Sequence, residues 1–502
     1  MIPESRIPFI YVDFDNSRAI SPGGHQNYNV LLIGQKNIEK SGESIPESLK
    51  PIRVRHENEV ADQFGWGSIL HQMAKGYFSN FPTAKTYVLP LSDPKAATSS
   101  QWKIGLKGKP VGSGIIPLWI TGKKMEVVFN EDSTAQEVLN LFCEKINQDL
   151  SLPVSSQVSG FKKTDQPEQK DKVSAAVELI LTAKNKGELS QSLDVAFEWG
   201  QTQQPESIQL KLNSFTPGQG AIDLTEGLSQ IFDHQFHLIV CPYLDFENLK
   251  RLDEDLKDRF SASRQLEGHL IGAFLGKEAD LLDEKKTKLV HSKHMTLLAV
   301  GESSPTPAWV WAACLTSIIA KEGQTDPARP FHTLPILGCM APEESARYER
   351  ATRSRLLQEG FSTLSVDFND TPRIERLITT YLNPQSPSDE SYLSLNTLLT
   401  LSYLRFSFVH YFAAKYPRHK LANDTATLQP GCAILTPQTA KCEAIALFLS
   451  WEERGLVENF SQFKTDLIVQ RNTKDRGRLD FLMSPRLVSQ LNVIGANISF
   501  LI

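Results

Sequence analysis

The stretch NYNVLLIG, residues 27–34, contains an unbroken apolar run from Val30 to Ile33. Strands that face water on one side alternate apolar and polar residues, whereas strands covered by helices on both faces are apolar throughout. Three further segments have the same character: KTYVLPL (85–91), FHLIVCPYL (236–244) and HMTLLAVG (294–301). Together the four segments predict a parallel sheet buried between two layers of helices.

Between these strands, apolar residues recur at helical spacing. The apolar stripes comprise Trp66, Leu70, Met73 and Tyr77 in WGSILHQMAKGY, and Leu249, Leu252, Leu256 and Phe260 in LKRLDEDLKDRF. Residues three or four apart share one face of a helix, so each segment can cover the sheet. The alternation of strands and helices predicts an α/β core domain formed by residues 25–96 and 201–370.

Residues 97–200 interrupt this alternation. GIIPLWITGKKMEVVF predicts a β-hairpin that turns near Gly122. In the next segment, STAQEVLNLFCEKI, Thr134 and Glu137 have the spacing of a helix capping box. The segments AAVELILTA and LDVAFEW have strand patterns, and the first of them follows a polar loop, KKTDQPEQKDK. We therefore expect an inserted, peripheral α+β domain, because insertions are tolerated where the two ends of the host lie close together.

After residue 370 the pattern changes again. Helical patterns cover residues 391–416 and about 436–454, and the strand patterns TDLIVQRN and RLDFLMSP follow them. Residues 371–490 are therefore expected to form a C-terminal α+β domain that ends in antiparallel strands.

Both ends of the chain have apolar, strand-like patterns. The last nine residues, IGANISFLI, alternate apolar and small side chains in the manner of a half-buried strand. The predicted strand residues are Phe9, Ile10, Tyr11, Val12 and Phe14 in an N-terminal extended arm (1–24), and Ile494, Ala496, Ile498, Phe500 and Ile502 in a C-terminal arm strand (491–502). Free ends usually fray, so each strand needs a sheet to join. The pattern favours a sheet of the same subunit and leaves a neighbour's sheet open, since an extended strand can reach one.

Composition excludes several classes of protein. The 502 residues are 40% hydrophobic and 22% charged, which indicates a soluble globular protein of several domains. A net charge of −5 gives no electrostatic basis for binding nucleic acid. The six cysteines lie far apart without a C-x-x-C motif, which is typical of free thiols in a reducing compartment. No signal peptide is evident, and the most apolar stretches, 308–320 and 392–412, are respectively too short and too interrupted to span a membrane.

Motifs that would carry chemistry are incomplete. HENEV has Val60 where a zinc helix needs its second histidine, and Arg18 follows DFDNS where a calcium loop needs glycine. GLKGKP lacks the spacing of a phosphate loop, LIGQKNIEKSG is a poor dinucleotide-binding turn, and no G-x-S-x-G elbow occurs. We therefore expect no catalytic, metal-binding or cofactor-binding residues, although a triad assembled from distant residues stays open.

Seven phrases, spread in order along the chain, resemble one family. They are FGWGSILHQMAKGYFSNFPTAKTYVLPL (64–91), DPARPFHTLPILG (326–338), RIERLITTY (373–381), TLLTLSYLR (397–405), YPRHKLAND (416–424), GLVENFSQFKTDLIVQRN (455–472) and LVSQLNVIGANISFLI (487–502). They resemble the tail sheath proteins of Mu-like contractile-tailed bacteriophages. The resemblance covers nearly the whole chain and is weakest at the N-terminus and in residues 97–200.

This resemblance implies a structural protein without catalytic activity or cofactor. Such subunits form six-membered rings that stack helically around an inner tail tube protein, and baseplate and tail terminator proteins bound the stack. When the sheath contracts, it drives the tube through the host envelope. The implied location is the virion tail, assembled in the host cytoplasm, with no nucleic acid bound directly and no membrane insertion. The family's core is described as subtilisin-like, without the protease triad.

Family members also link neighbouring subunits by adding terminal arms to a sheet in an adjacent C-terminal domain. The resemblance therefore implies that the two arm strands of this chain pair between subunits. One alternative is the sheath of a phage-tail-like bacteriocin or injection device. A more distant alternative is a subtilisin-fold hydrolase, which would require a serine, a histidine and an aspartate to converge in one cleft.

Overall fold

The structure is a computed structural model. It describes residues 26–37, 50–159, 177–383, 386, 389–424 and 432–500. The expected N-terminal arm strand from Phe9 to Phe14, the loop KKTDQPEQKDK and the final residue Ile502 lie outside the described residues.

The described chain alternates strands and helices in its first three quarters. In chain order the strands are β1 (Asn29–Gln35), β2 (Ile52–Val54), β3 (Lys85–Leu91), β4 (Gln101–Gly108), β5 (Gly114–Ile120), β6 (Lys123–Phe129), β7 (Val154–Ser159), β8 (Glu178–Ala183), β9 (Val195–Ala196), β10 (Ile208–Thr216), β11 (Leu238–Val240), β12 (Leu270–Gly276), β13 (Met295–Gly301), β14 (Phe361–Val366), β15 (Pro372–Arg376), β16 (Lys420–Leu421), β17 (Ile434–Leu435), β18 (Val457–Glu458), β19 (Ile468–Arg471), β20 (Leu479–Leu482) and β21 (Arg486–Leu487). The helices are α1 (Glu57–Phe64), α2 (Ile69–Phe78), α3 (Ala135–Gln148), α4 (Thr225–Gln230), α5 (Phe246–Phe260), α6 (Glu278–Leu281), α7 (Ala308–Thr325), α8 (Arg350–Gln358), α9 (Leu395–Lys415), α10 (Pro437–Glu453) and α11 (Phe460–Asp466).

An eight-stranded sheet lies in the larger of two compact units, which comprises the described residues of Tyr28–Gln324 and Phe331–Leu395. Its strand order is β15-β14-β13-β12-β11-β1-β3-β2. Pairing is parallel from β3 through β1 and β11 to β14, as predicted. The edge strands β2 and β15 are antiparallel. β15 returns from β14 through a tight turn, a connection that only an antiparallel neighbour allows.

Helices cover the sheet through the apolar stripes. Leu249, Leu252 and Leu256 of α5 are fully buried in a cluster with residues of β1, β11 and β12. Burying each such leucine contributes roughly 2 kcal/mol. The stripe predicted for α2 needs one correction, because Trp66 precedes the helix and only the three later residues belong to it. The helix starts at Ile69 because the side chain of Ser68 accepts a hydrogen bond from the backbone N–H of His71, which caps the first turn.

Helix α7 is buried on almost every side, including Trp309, Trp311 and Leu315. Trp309 donates its indole N–H to Gln72 Oε1 over 2.9 Å, which joins α7 to α2. No helix in the described part of the chain has both the length and the hydrophobicity needed to cross a membrane.

The segment inserted after β3 forms two further sheets, β10-β4-β8-β7 and β6-β5-β9. The β5–β6 hairpin turns at Thr121 and Gly122, which have φ values of 47° and 80°, and this confirms the predicted turn. The capping box of Thr134 and Glu137 at the start of α3 is also present. The predicted core range 201–370 needs one correction. β10 lies within it but pairs antiparallel with β4, so it belongs to the inserted sheets.

The inserted segment is fastened to the core. Its two ends meet where Thr98 N–H donates to Gln219 O over 3.0 Å. Buried Asn185 accepts the backbone N–H of Ile69 at 2.9 Å and donates to Lys36 O at 3.0 Å. These bonds satisfy backbone groups of the core that would otherwise be buried without partners.

The smaller unit comprises residues 26–27 and 325–330 and the described residues from Asn396 onward. Trp451, Phe448 and Phe463 form the centre of its apolar cluster, and the indole of Trp451 donates to Ser407 Oγ over 2.8 Å. Three short strand pairs complete it: β16 with β17, β18 with β21, and β19 with β20. The predicted antiparallel pairing of the two strand patterns near residue 475 is confirmed in β19 and β20.

Candidate assembly site

The last described residues of the chain, 488–500, form neither helix nor strand. Ile494, Ile498 and Phe500 are 80%, 86% and 80% exposed, and Ala496 is exposed as well. The half-buried strand expected here is therefore absent from the single chain. The physical reason is that a lone strand gains neither ladder hydrogen bonds nor a buried face, so nothing holds it in that form.

Exposure is not confined to the alternating positions. Leu491 and Val493, which lie out of phase with the predicted strand face, are 66% and 82% exposed. Periodicity missed these two residues, and the plain hydropathy of the stretch was the signal that could have found them. The stretch thus carries exposed apolar side chains at both odd and even positions. Such a concentration of exposed apolar surface is unusual unless a partner covers it.

The exposed stretch directly follows β21, a short strand that is paired within the smaller unit. Leu487 pairs with Val457 between β21 and β18, and Val488 N–H donates to Leu456 O over 3.2 Å. In the same unit, Ile468 and Leu482 face each other across the β19–β20 pair and are 49% and 60% exposed. A two-stranded ladder with an exposed apolar pair can accept a further strand at its edge. This unit therefore has both an exposed apolar terminal stretch and an exposed apolar pair on a two-stranded ladder.

Groups that could form a protease-like triad do not come together among the described residues. Ser68 Oγ is used to cap α2, and His71 Nδ1 accepts the N–H of Gly67 over 2.9 Å. The imidazole of His269 does contact a hydroxyl, that of Thr296 at 2.8 Å, but both are buried and no carboxylate orients the other ring nitrogen. The described residues also contain no group of three or more histidine, cysteine or acidic side chains placed to hold a metal ion.

A crevice of about 680 Å³ lies at the carboxyl ends of β1, β11 and β12. Enzymes with open parallel sheets bind their ligands at this place. Here its cysteine, Cys241, is fully buried, and burial raises the pKa of the thiol to about 12, which makes it a poor nucleophile. Burial and the nearby Glu343 raise the pKa of Asp194 to about 6. No histidine lines the crevice among the described residues, so a serine–histidine or cysteine–histidine pair is not formed there.

Two domains of known protein families match the chain in neighbouring regions. Residues 218–380 match the phage tail sheath protein central domain, and residues 387–500 match the phage tail sheath C-terminal domain. Together the two matches span more than half of the chain, and the second includes the exposed terminal stretch. The chain belongs to the phage tail sheath protein family.

Relatives of this sheath protein extend the match beyond those two domains. It is 29% identical over 502 residues to the Mu-like prophage FluMu tail sheath protein of Haemophilus influenzae, covering 99% of this chain and 98% of that protein. Among solved structures, the sheath tail protein of Desulfitobacterium hafniense is 12% identical with a TM-score of 0.45, over 96% of this chain and 100% of that one. The sheath of an extracellular contractile injection system in the contracted state is 9% identical with a TM-score of 0.47, over 99% and 98% of the two chains. The family assignment rests on the sequence matches, since structural likeness at this level adds no weight to it.

Proposed function

We propose that this protein is the structural subunit of a contractile tail sheath, without catalytic activity or cofactor. It polymerises helically around an inner tail tube and contracts to drive the tube through the host cell envelope. The observation that carries the proposal is the match to both tail sheath domains. The similarity to a Mu-like tail sheath protein over nearly the whole of both chains supports it.

The proposed partners are other copies in six-membered rings stacked helically, the inner tail tube protein, and the baseplate and tail terminator proteins. The proposed location is the virion tail, assembled in the host cytoplasm. Direct contact with nucleic acid and insertion into a membrane are not part of the proposal. The core is inferred to have a subtilisin-like topology, and the parallel sheet covered by helices supports this.

Both ends of the chain are proposed to link neighbouring subunits as donated strands. A helical polymer needs contacts between different faces that repeat without closing. Main-chain hydrogen bonds of a donated strand can persist while the globular bodies reorient about it. The exposure of Ile494, Ile498 and Phe500 supports donation at the C-terminal end, because these side chains are left without cover in one chain.

The proposal is tested by the assembly state of the purified protein. Negative-stain electron microscopy and sedimentation velocity over a range of concentrations should reveal rings or long hollow cylinders. A protein that stays monomeric at high concentration, even with tube protein present, would contradict the proposal. Micrographs of native particles would then separate a phage from an injection device, since only the phage carries a DNA-filled head.

A further inference from the structure

Two thiols lie side by side where α7 passes the loop that follows it. Cys314 in the middle of α7 is fully buried, and its Sγ lies 3.2 Å from Gly76 O of α2. The Cys339 thiol lies close enough to the Cys314 thiol for the two to interact electrostatically, which contributes to a raised pKa of Cys339. The backbone at Gly338 approaches so closely that a Cβ there would lie 3.6 Å from Cys314 Sγ. The two sulfur atoms are therefore neighbours in the folded protein, although 24 residues separate them in the chain.

A surface crevice lies beside this pair. A crevice of about 310 Å³ is lined by Gly76, Val310, Gly338 and Met340, which are the residues that flank the two thiols. Neither cysteine is part of the crevice lining, and of the two residues Cys339 is partly exposed whereas Cys314 is buried. A small oxidant would therefore reach Cys339 more readily than Cys314, and the second thiol lies next to the first.

We propose that Cys314 and Cys339 are a latent disulfide, which forms inside the folded core when the protein meets a peroxide. The Cys339 sulfur attacks the O–O bond of hydrogen peroxide, which leaves a sulfenic acid and one molecule of water. The Cys314 sulfur then displaces the sulfenic oxygen as a second molecule of water, and the S–S bond forms. Two thiols and one hydrogen peroxide give one disulfide and two waters.

Two consequences follow from the surroundings of the pair. Burial and the neighbouring Cys314 thiol raise the pKa of Cys339 well above its usual range, so this thiol stays protonated at neutral pH. Because the thiolate is the reactive form, the disulfide should form slowly at pH 7 and faster at pH 9. Once formed, it ties the middle of α7 to the loop beyond it and restricts the unfolded chain, so the melting temperature should rise.

The test uses a full-length Cys432→Ser/Cys442→Ser variant, which removes the two exposed cysteines that could cross-link different molecules. The protein is treated with hydrogen peroxide at pH 7 and pH 9, unfolded, alkylated with iodoacetamide and mapped by mass spectrometry. We expect a linked peptide that contains Cys314 and Cys339, formed faster at pH 9. The melting temperature should rise by several degrees, and dithiothreitol should reverse the rise.

Matched variants separate this from general oxidation. Cys241→Ser removes another fully buried thiol and should leave the linked peptide and the rise in melting temperature intact. Cys339→Ser, and Cys314→Ser as an independent second variant, should abolish both. If Cys314 and Cys339 are recovered fully alkylated after peroxide, or are found only as sulfinic or sulfonic acids, the proposal is wrong.

Discussion

Buried histidines contribute to the loss of stability of this protein in acid. Burial lowers the pKa of His71, His237 and His294 to about 4 in each case, and lowers that of His269 well below its usual value. The pKa in the unfolded chain is near 6.5, so the unfolded state binds more protons than the folded state between pH 6.5 and pH 4. The free energy of unfolding is therefore greatest above pH 6.5 and falls as the pH drops through this window.

The pH dependence can be assigned to a single residue through His294→Leu. His294 is completely buried, and its two or more pH units of pKa shift correspond to about 3 kcal/mol. Urea denaturation at pH 7.5 and pH 5 should show that the variant loses about 2 kcal/mol less stability on acidification than the wild type, because the full effect is reached only below the folded-state pKa of about 4. His332→Gln, which removes an exposed histidine, is the control and should leave the difference unchanged. An unaltered pH dependence in His294→Leu would contradict the assignment.

For individual residues, the sequence predicted the place of a residue relative to helices and strands better than it predicted how buried that residue is. His294 is the first residue of the run HMTLLAVG, which predicts a strand, and it lies immediately before β13. Its complete burial could not be predicted, because it depends on the ring of Phe260 in α5, 4.9 Å away between ring centroids and distant in sequence. The local sequence pattern shows which residues are apolar. Whether a polar residue is buried depends instead on the side chains that pack against it from distant parts of the chain.

At the scale of elements, the capping box of α3 provides a quantitative prediction. Thr134 Oγ1 accepts the N–H of Glu137, and the Glu137 carboxylate accepts the N–H of Thr134. Thr134→Ala removes one of these bonds and should lower the free energy of unfolding by about 1 kcal/mol in urea denaturation. Thr134→Ser keeps the hydroxyl and should stay close to the wild type. Equal losses in the two variants would mean that the methyl group, rather than the cap, is what stabilises this turn.

The elements that could be predicted from sequence are those with a local signal. Continuous apolar runs identified β1, β3 and β13, and the strand patterns near the C-terminus identified β19 and β20. β11 is shorter than its run, because Phe236 and Tyr243 are buried like strand residues but make no ladder. Strands of two residues, such as β18 and β21, carry no periodicity at all. These short strands form because a segment distant in sequence provides backbone hydrogen-bond partners. That pairing cannot be predicted from a single sequence.

For the whole molecule, the alternating pattern of the C-terminal residues is compatible with two arrangements of the terminal strand. A strand that completes its own sheet and a strand donated to a neighbour both alternate apolar and polar residues, so periodicity cannot separate them. The resemblance to tail sheath proteins favoured donation, and the chain taken alone leaves residues 491–500 exposed. The distinction is a property of the polymer and needs an experiment in which folding and assembly are measured separately.

Deleting residues 494–502 should separate folding from assembly. The described residues that it removes are all exposed, so the free energy of unfolding should change by less than about 0.5 kcal/mol. Circular dichroism and thermal melting should therefore match the wild type, while negative-stain microscopy should show no cylinders. The physical reason is that the removed strand would supply main-chain hydrogen bonds and apolar contacts to the next subunit rather than to its own.

Charge substitutions within the strand test the same idea with the chain length preserved. Ile498→Asp/Phe500→Asp would place two unpaired charges on the buried face of the neighbour's sheet, at a cost of several kcal/mol, and should prevent assembly of a normally folded protein. Asn497→Asp/Ser499→Asp adds the same charge on the opposite face of the strand and should still form cylinders. If both pairs assemble, the stretch is not a link between subunits. If the truncated chain is insoluble or melts much earlier than the wild type, the strand completes the sheet of its own subunit, and donation is excluded.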